Sequence, residues 1–196
     1  MTTIFTHPAV PLALGLARAR QTVSPRLLLA GVMCSVIPDI DVIAFQFDIP
    51  YRHGFGHRGF THSIVFAGLL GLLAVALHRS LKARATFAFA FVFICTLSHG
   101  VLDAMTTGGL GVAFLWPSEQ RYFLPWRFIQ VSPIGFSFFS PWGLAVLRAE
   151  LLWIWLPALT IAVCGLFGRR IYARAKSPAQ PHVHPYARQS SGRTGS

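Results

Sequence analysis

Asp39, Asp41 and Asp103 are half of the six acidic residues in this chain of 196, and each lies inside or at the edge of an apolar segment. A carboxylate is costly there, so it tends to be paired, to face a wet cavity or to bind metal. Asp103 follows His99 by four residues, which puts both side chains on one helix face with Cβ atoms about 5–6 Å apart. That spacing suits a shared ion, and equally a His–Asp hydrogen bond that stabilises the helix. Pro38-Asp39-Ile40-Asp41 offers two carboxylates at a proline. Both could hold a cation, one could coordinate while the other orients a histidine, or both could cap a helix end. In the run His57-Arg58-Gly59-Phe60-Thr61-His62-Ser63 the histidines are five apart, too far round for one helix face. His57 is therefore expected in a loop and His62 in the first turn of a helix, with Gly59 letting the chain bend back. Neutral imidazole is the commonest metal ligand, while interfacial histidines can also meet lipid headgroups. His7 is a weaker candidate.

A mixed imidazole and carboxylate set favours Zn²⁺, with Mn²⁺ or Fe²⁺ possible, over thiolate-loving metals or all-oxygen Ca²⁺ sites. Such a metal with an open position activates water for hydrolysis. Cys34, Cys95 and Cys164 sit singly in apolar runs without paired spacing and read as buried thiols. His53 and His78 are weak candidates, and His182 and His184 read as incidental.

The elements that must position these residues are apolar. Hydrophobic residues make up 54% of the chain and charged ones 12%, against about 25% charged in soluble domains. This excludes a disordered chain and argues against an ordinary soluble enzyme. The net charge of +11 first suggests nucleic acid, but Arg169, Arg170, Arg174, Lys176, Arg188 and Arg193 gather at the end. That tail offers only nonspecific charge, so no specific nucleic-acid partner is expected. No secretory signal peptide is evident, since the first apolar stretch opens on His7-Pro8 without a basic lead.

Apolar segments fall at 7–20, 27–45, 63–78, 85–105 and 149–168, the second following a Ser24-Pro25 start signal. The first is short for a hydrocarbon core of about 30 Å. The Gly-, Pro- and aromatic-rich stretch 106–148 has no helical period and reads as a long external loop, with Trp116, Trp126 and Trp142 suited to a membrane boundary. The expectation is an all-α, polytopic membrane bundle of about 4–5 hydrophobic helices. Residues 1–168 would form the membrane-embedded domain and 169–196 a basic, disordered cytoplasmic tail. Basic clusters at Arg18/Arg20/Arg26, at Arg79/Lys82/Arg84 and in the tail are cytoplasmic by the positive-inside rule. His7, Asp39/Asp41, His57/His62 and His99/Asp103 then all reach the external face.

The chain resembles the YdjM-type family of bacterial inner-membrane proteins, described as metal-dependent hydrolases. The resemblance rests on Thr6-His7-Pro8, Pro38-Asp39-Ile40-Asp41, Gly56-His57-Arg58-Gly59-Phe60-Thr61-His62-Ser63 and Ser98-His99-Gly100-Val101-Leu102-Asp103. It continues through Thr106–Gly111, Trp116-Pro117, Arg121-Tyr122-Phe123 and Val131-Ser132-Pro133-Ile134, covering roughly residues 3 to 168. It departs from the family after Pro117, where a Phe is expected, and at Phe128, where a Pro is usual. The family is distantly similar to the zinc-dependent phospholipase C and P1 nuclease fold, which implies phosphoester hydrolysis by analogy. The expected ligands are His57, His62, His99 and Asp103. Asp39, Asp41 and His7 are further ligands or candidates for general base. Arg58, and less securely Arg121, would grip an anionic phosphate. Glu119 is an outside candidate for acid–base work. The substrate class expected is a phosphoester or lipid at the membrane surface. The rival readings are a non-catalytic membrane protein stapled by a structural metal, and a transporter, which should place ionisable groups near the midplane.

Overall fold

A computed structural model describes residues 2–18, 22–132 and 139–176. Pro133, Ile134, Arg20 and the tail from residue 177, with His182 and His184, lie outside the described residues. The elements are α1 (Ala9–Ala17), α2 (Pro25–Val36) running into a 3₁₀ segment (Ile37–Phe47), a 3₁₀ turn (Phe60–His62), α3 (Ile64–Ala76), α4 (Ala85–Ala104) and α5 (Pro141–Glu150). A π-helical turn (Leu151–Trp155) then leads into α6 (Leu156–Lys176). Among the described residues there is no named strand, only isolated bridges between Thr106 and Ile129 and between Val112 and Tyr122. The expected all-α bundle is what forms.

Local chemistry sets the helix starts. Ser24 accepts from the Leu27 N–H with Pro25 in the first turn, and Ser63 accepts from the Phe66 N–H. Ser140-Pro141 repeats the first signal, so the last helical stretch begins at Pro141 rather than near 149. It also runs on through Lys176, which makes the first eight positions of the expected tail helical. Three stretches are long and apolar enough to cross a membrane: Pro25–Phe47, Ala85–Ala104 and Pro141–Ala175. α3 is shorter and α1 shorter still. Cys164 is exposed rather than buried, on the outward side of α6 with Leu159, Ile161 and Val163, as suits a helix face turned to lipid.

α4 is the organising helix, packed against α2 and α3. Its buried face carries Ala88, Phe91, Val92 and Cys95 in the first turns, then His99 and Asp103 in the last. The apolar half joins Leu27 and Ala74 in one core cluster. A second cluster, Ala9, Ala13, Leu102, Ile129, Ile154 and Ala158, ties α1, α4 and α6 together beside the polar half. The stretch after α4 is ordered where described: Val112, Ala113 and Ile129 are fully buried, and Ala113 N–H donates to Arg58 O.

The α1–α6 contact is close enough to test. A Cβ on Gly165 would stand 2.7 Å from Ala17 Cα and 2.9 Å from its carbonyl oxygen, whereas one on Gly68 meets nothing within 4 Å. Gly165→Ala should therefore lower stability by about 1–3 kcal/mol. Gly68→Ala should be neutral or stabilising by up to about 1 kcal/mol. Thermal unfolding in detergent distinguishes them, and equal effects would refute this packing.

Candidate metal centre

Four segments deliver their polar residues to one end of the bundle: the start of α1, the 3₁₀ extension of α2, the approach to α3 and the end of α4. His7, His57, His62, His99, Asp39, Asp41 and Asp103 are all buried there, each 9% exposed or less. The expected loop position of His57 is observed. His62 falls in a 3₁₀ turn just ahead of the Ser63 cap rather than inside α3. At Gly59 a Cβ would strike the Gly54 and Gly56 carbonyl oxygens, so only glycine fits this bend.

The Pro38 region continues α2 as a tighter 3₁₀ helix, and at three residues per turn Asp39 and Asp41 point to different sides. Asp41 faces the approach to α3. Its Oδ1 accepts from His57 Nδ1 at 2.6 Å, and its Oδ2 accepts from Thr61 Oγ1 at 2.6 Å and Arg58 N–H at 3.0 Å, with His62 Nδ1 at 3.1 Å. Asp39 faces α1 and α4, with His99 Nε2 at 3.4 Å and His7 Nε2 at 3.6 Å. The two carboxylates therefore divide their duties, one orienting histidines and the other lying among possible donors.

The histidine tautomers follow from their partners. His99 Nδ1 lies 2.8 Å from the Ser35 carbonyl oxygen, which can only accept, so Nδ1 carries the hydrogen. His62 Nδ1 is turned to Asp41 in the same way. Both Nε2 atoms are left facing each other at 3.0 Å, with Asp103 Oδ2 3.6 Å from His62 Nε2 and Asp39 Oδ1 3.4 Å from His99 Nε2. Donor atoms around a tetrahedral ion with bonds of about 2.1 Å are roughly 3.4 Å apart. Asp39, His62, His99 and Asp103 offer donor atoms all within 4.8 Å of one another. Both Asp39 oxygens, and Asp103 Oδ2, are buried without a hydrogen-bond partner. This donor set fits a divalent cation, and no cysteine enters it. Asp41, His57 and His62 form a second possible group, but 2.6 and 3.1 Å from Nδ1 to carboxylate oxygen are hydrogen-bond lengths.

Burial works against a charge on His62, yet the Asp103 and Asp41 carboxylates outweigh it and hold the imidazole up at about 9. Burial, and then the neighbouring His99, push His7 down to about 3. His7 stacks on His99 with ring centroids 3.6 Å apart and is at the margin of the centre, its Nε2 4.0 Å from Asp103 Oδ1.

Arg58 is fully buried and turned inward. Its Nε lies 3.0 Å from Asp103 Oδ2, and its two terminal nitrogens donate to the Gly108 carbonyl and Thr106 Oγ1. Its φ of 61° is left-handed, which lets its N–H reach Asp41 while its side chain reaches Asp103. Gly109, at φ 83°, leaves room for the guanidinium, since a Cβ would stand 2.8 Å from Nη1. Arg121 is half-buried and donates to the His57, Tyr51 and His53 carbonyls. It lines a cleft of about 340 Å³ with Arg52, Leu110 and Glu119.

The sequence reading missed Glu150. It is 1% exposed inside an apolar helix, and its carboxylate accepts from Thr3 N–H, Thr3 Oγ1 and Thr6 Oγ1. Trp155, five residues on, donates to the same Thr6 Oγ1 at 3.2 Å. The intervening π turn, with its i→i+5 bonding, brings residues five apart toward one face. Thr2 closes the strap at its other end, its N–H donating to Asp103 Oδ1 at 2.8 Å and its Oγ1 lying 2.9 Å from His7 Nε2. An acid in the apolar run Glu150-Leu151-Leu152-Trp153 was the available signal, by the reasoning applied to Asp103.

Arg58→Ala would remove the guanidinium facing the buried Asp103 carboxylate, so a loss of about 3–5 kcal/mol is expected, read by thermal unfolding. Glu150→Ala removes the acceptor for three donors and should cost about 1–3 kcal/mol. It should also speed amide exchange at residues 2–7, measured by mass spectrometry; unchanged protection there would contradict the strap.

Comparison with known proteins agrees with this architecture. Residues 1–175 match the family described as YdjM inner membrane protein. Inner membrane protein YbcI of Escherichia coli (strain K12) is 44% identical over 164 residues, 82% of this chain and 95% of the relative. No solved structure matches. The chain is thus a bacterial inner-membrane protein and belongs to the YdjM inner membrane protein family.

Proposed function

We propose that this protein is a membrane-embedded, metal-dependent hydrolase acting on a phosphoester or lipid at the membrane surface. The observation that carries the reading is the convergence of His62 Nε2 and His99 Nε2 on the Asp39 oxygens, which have no hydrogen-bond partner, and on Asp103 Oδ2, which only the Arg58 ion pair answers. His62, His99, Asp39 and Asp103 would hold the ion, with His7 and His57 at its margin. Zn²⁺ suits this donor set best, and Mn²⁺ or Fe²⁺ also fit. When bound, such a metal makes water nucleophilic near neutral pH.

The chain's own residues take supporting roles. Asp41 fixes the rings of His57 and His62, as carboxylates behind metal-ligating histidines do. Arg58, expected to grip phosphate, is committed to Asp103, Thr106 and Gly108 and acts as a positioning residue. A substrate phosphate would instead approach through the cleft of Arg52, Arg121 and Glu119, which adjoins the loop of His57. Glu119 is the carboxylate there for acid–base work. By the positive-inside rule the basic turns favour an external position for this end of the bundle.

The burial of the whole set favours a second reading, a structural metal that staples four segments without catalysis. Metal analysis of detergent-purified protein tests the shared premise. Wild type should carry a divalent ion, and His62→Ala and Asp103→Ala should lose most of it; near-zero metal in all three would sink both readings. Hydrolysis of a generic phosphodiester by the wild type, lost in both variants, separates enzyme from staple. Metal without hydrolysis favours the staple. For orientation, Phe55→Cys is exposed and should be labelled by an impermeant thiol reagent applied from outside. Labelling only after permeabilisation would turn the centre to the cytoplasm.

A further inference from the structure

The opposite end of the bundle carries a site of different chemistry. There the turn between α3 and α4 meets the start of α2, around a cleft of about 750 Å³ lined by His78, Arg79, Lys82, Arg84, Thr22 and Phe87, among others. The turn is fixed in place: Ser24 Oγ donates to the Leu81 carbonyl, Arg26 donates to the Ser80 carbonyl at 3.1 Å, and His78 Nδ1 lies 3.2 Å from the Ala83 carbonyl. Lys82 is held at φ 51°, in the left-handed region that a lysine rarely occupies. Strain of this kind persists where the surroundings over-determine it. Arg18 adds a cation at the rim, its guanidinium 5.4 Å above the Phe87 ring.

Nothing acidic answers this charge. None of the six carboxylate residues lies between Met1 and Pro38 or between Ile49 and Leu102. Among the described residues no ion pair involves Arg18, Arg26, Arg79, Lys82 or Arg84. The first turn of α4, which opens beside the cleft, has neither an acidic residue nor a side-chain cap. Exposed apolar side chains adjoin the cleft along the chain, with Leu77 47% and Leu16 51% exposed, and cations beside such apolar surface suit the boundary between lipid tails and headgroups.

We propose that this cleft binds the phosphate of an anionic phospholipid headgroup. Arg79, Lys82 and Arg84 supply the charge, the rigid turn holds them in place, and the apolar flank of α1 and α3 accompanies the acyl chains. Basic pockets between helices recognise anionic headgroups by this combination. A soluble phosphate shares the anion chemistry but has no use for the apolar flank.

The test uses the full-length protein, delipidated in detergent and then offered equal phosphatidylglycerol and phosphatidylcholine, with retained lipid counted by native mass spectrometry. The cleft variant is Arg79→Gln/Lys82→Asn/Arg84→Gln, Asn being tolerated in the left-handed region. The control, Arg169→Gln/Arg170→Gln/Arg174→Gln, removes the same charge from α6. Wild type and control should retain phosphatidylglycerol over phosphatidylcholine by about tenfold or more, and the cleft variant should lose that preference. A preference absent from the wild type, surviving in the cleft variant, or lost equally in the control would overturn the proposal. In a separate arm with inorganic phosphate alone, binding without phosphatidylglycerol retention would assign the cleft to a soluble anion and overturn the lipid.

Discussion

Two imidazole nitrogens whose other ring nitrogens are already committed as donors cannot rest 3.0 Å apart, lone pair to lone pair, without a positive charge between or beside them. His62 and His99 are held in that relation by Asp41 and by the Ser35 carbonyl. A proton on His62 meets the requirement, in line with carboxylates that hold it up at about 9, and a divalent cation meets it more fully because it also satisfies the Asp39 oxygens, which have no hydrogen-bond partner, and shares Asp103 Oδ2 with Arg58. Much of the surrounding structure serves to hold these four side chains where they would otherwise repel or go unsolvated.

That requirement explains features that look unrelated. α4 presents one continuous face that is apolar core in its first turns and donor set in its last. The 3₁₀ winding after Pro38 sends Asp39 and Asp41 in different directions, so one backs the histidines while the other joins them. Arg58 adopts a left-handed backbone to serve both Asp41 and Asp103. The strap from Thr2 to His7 is tied at one end to Glu150 and at the other to Asp103. Each device lowers the cost of keeping ionisable groups away from water.

Much of this was legible in the sequence because the signals were local. The i,i+4 pair His99 and Asp103 reads directly as one helix face, and Ser24-Pro25 reads as a helix start. Charge alternation between turns by itself brings His7, Asp39, His62 and Asp103 to the same end. Long-range partners were not legible. The commitment of Arg58 to Asp103 depends on two chain segments meeting, and a motif shows only that an arginine stands beside a histidine. The longer reach of the last helix was hidden because Arg148 and Glu150 interrupt the apolar run, and the hydrogen bonds that satisfy Glu150 come from Thr3 and Thr6 at the far end of the chain. The anion-binding character of the α3–α4 turn was hidden similarly, since its basic residues already had a sufficient explanation as topological anchors.

The proposed centre gathers a divalent ion at this end of the bundle with histidine nitrogen and carboxylate oxygen, and no sulfur. X-ray absorption spectroscopy at the edge of whichever metal copurifies tests that most directly. The first coordination sphere should hold nitrogen and oxygen only, with the outer-shell scattering of about two imidazoles. A sphere containing sulfur, or one of oxygen alone without imidazole scattering, would contradict it.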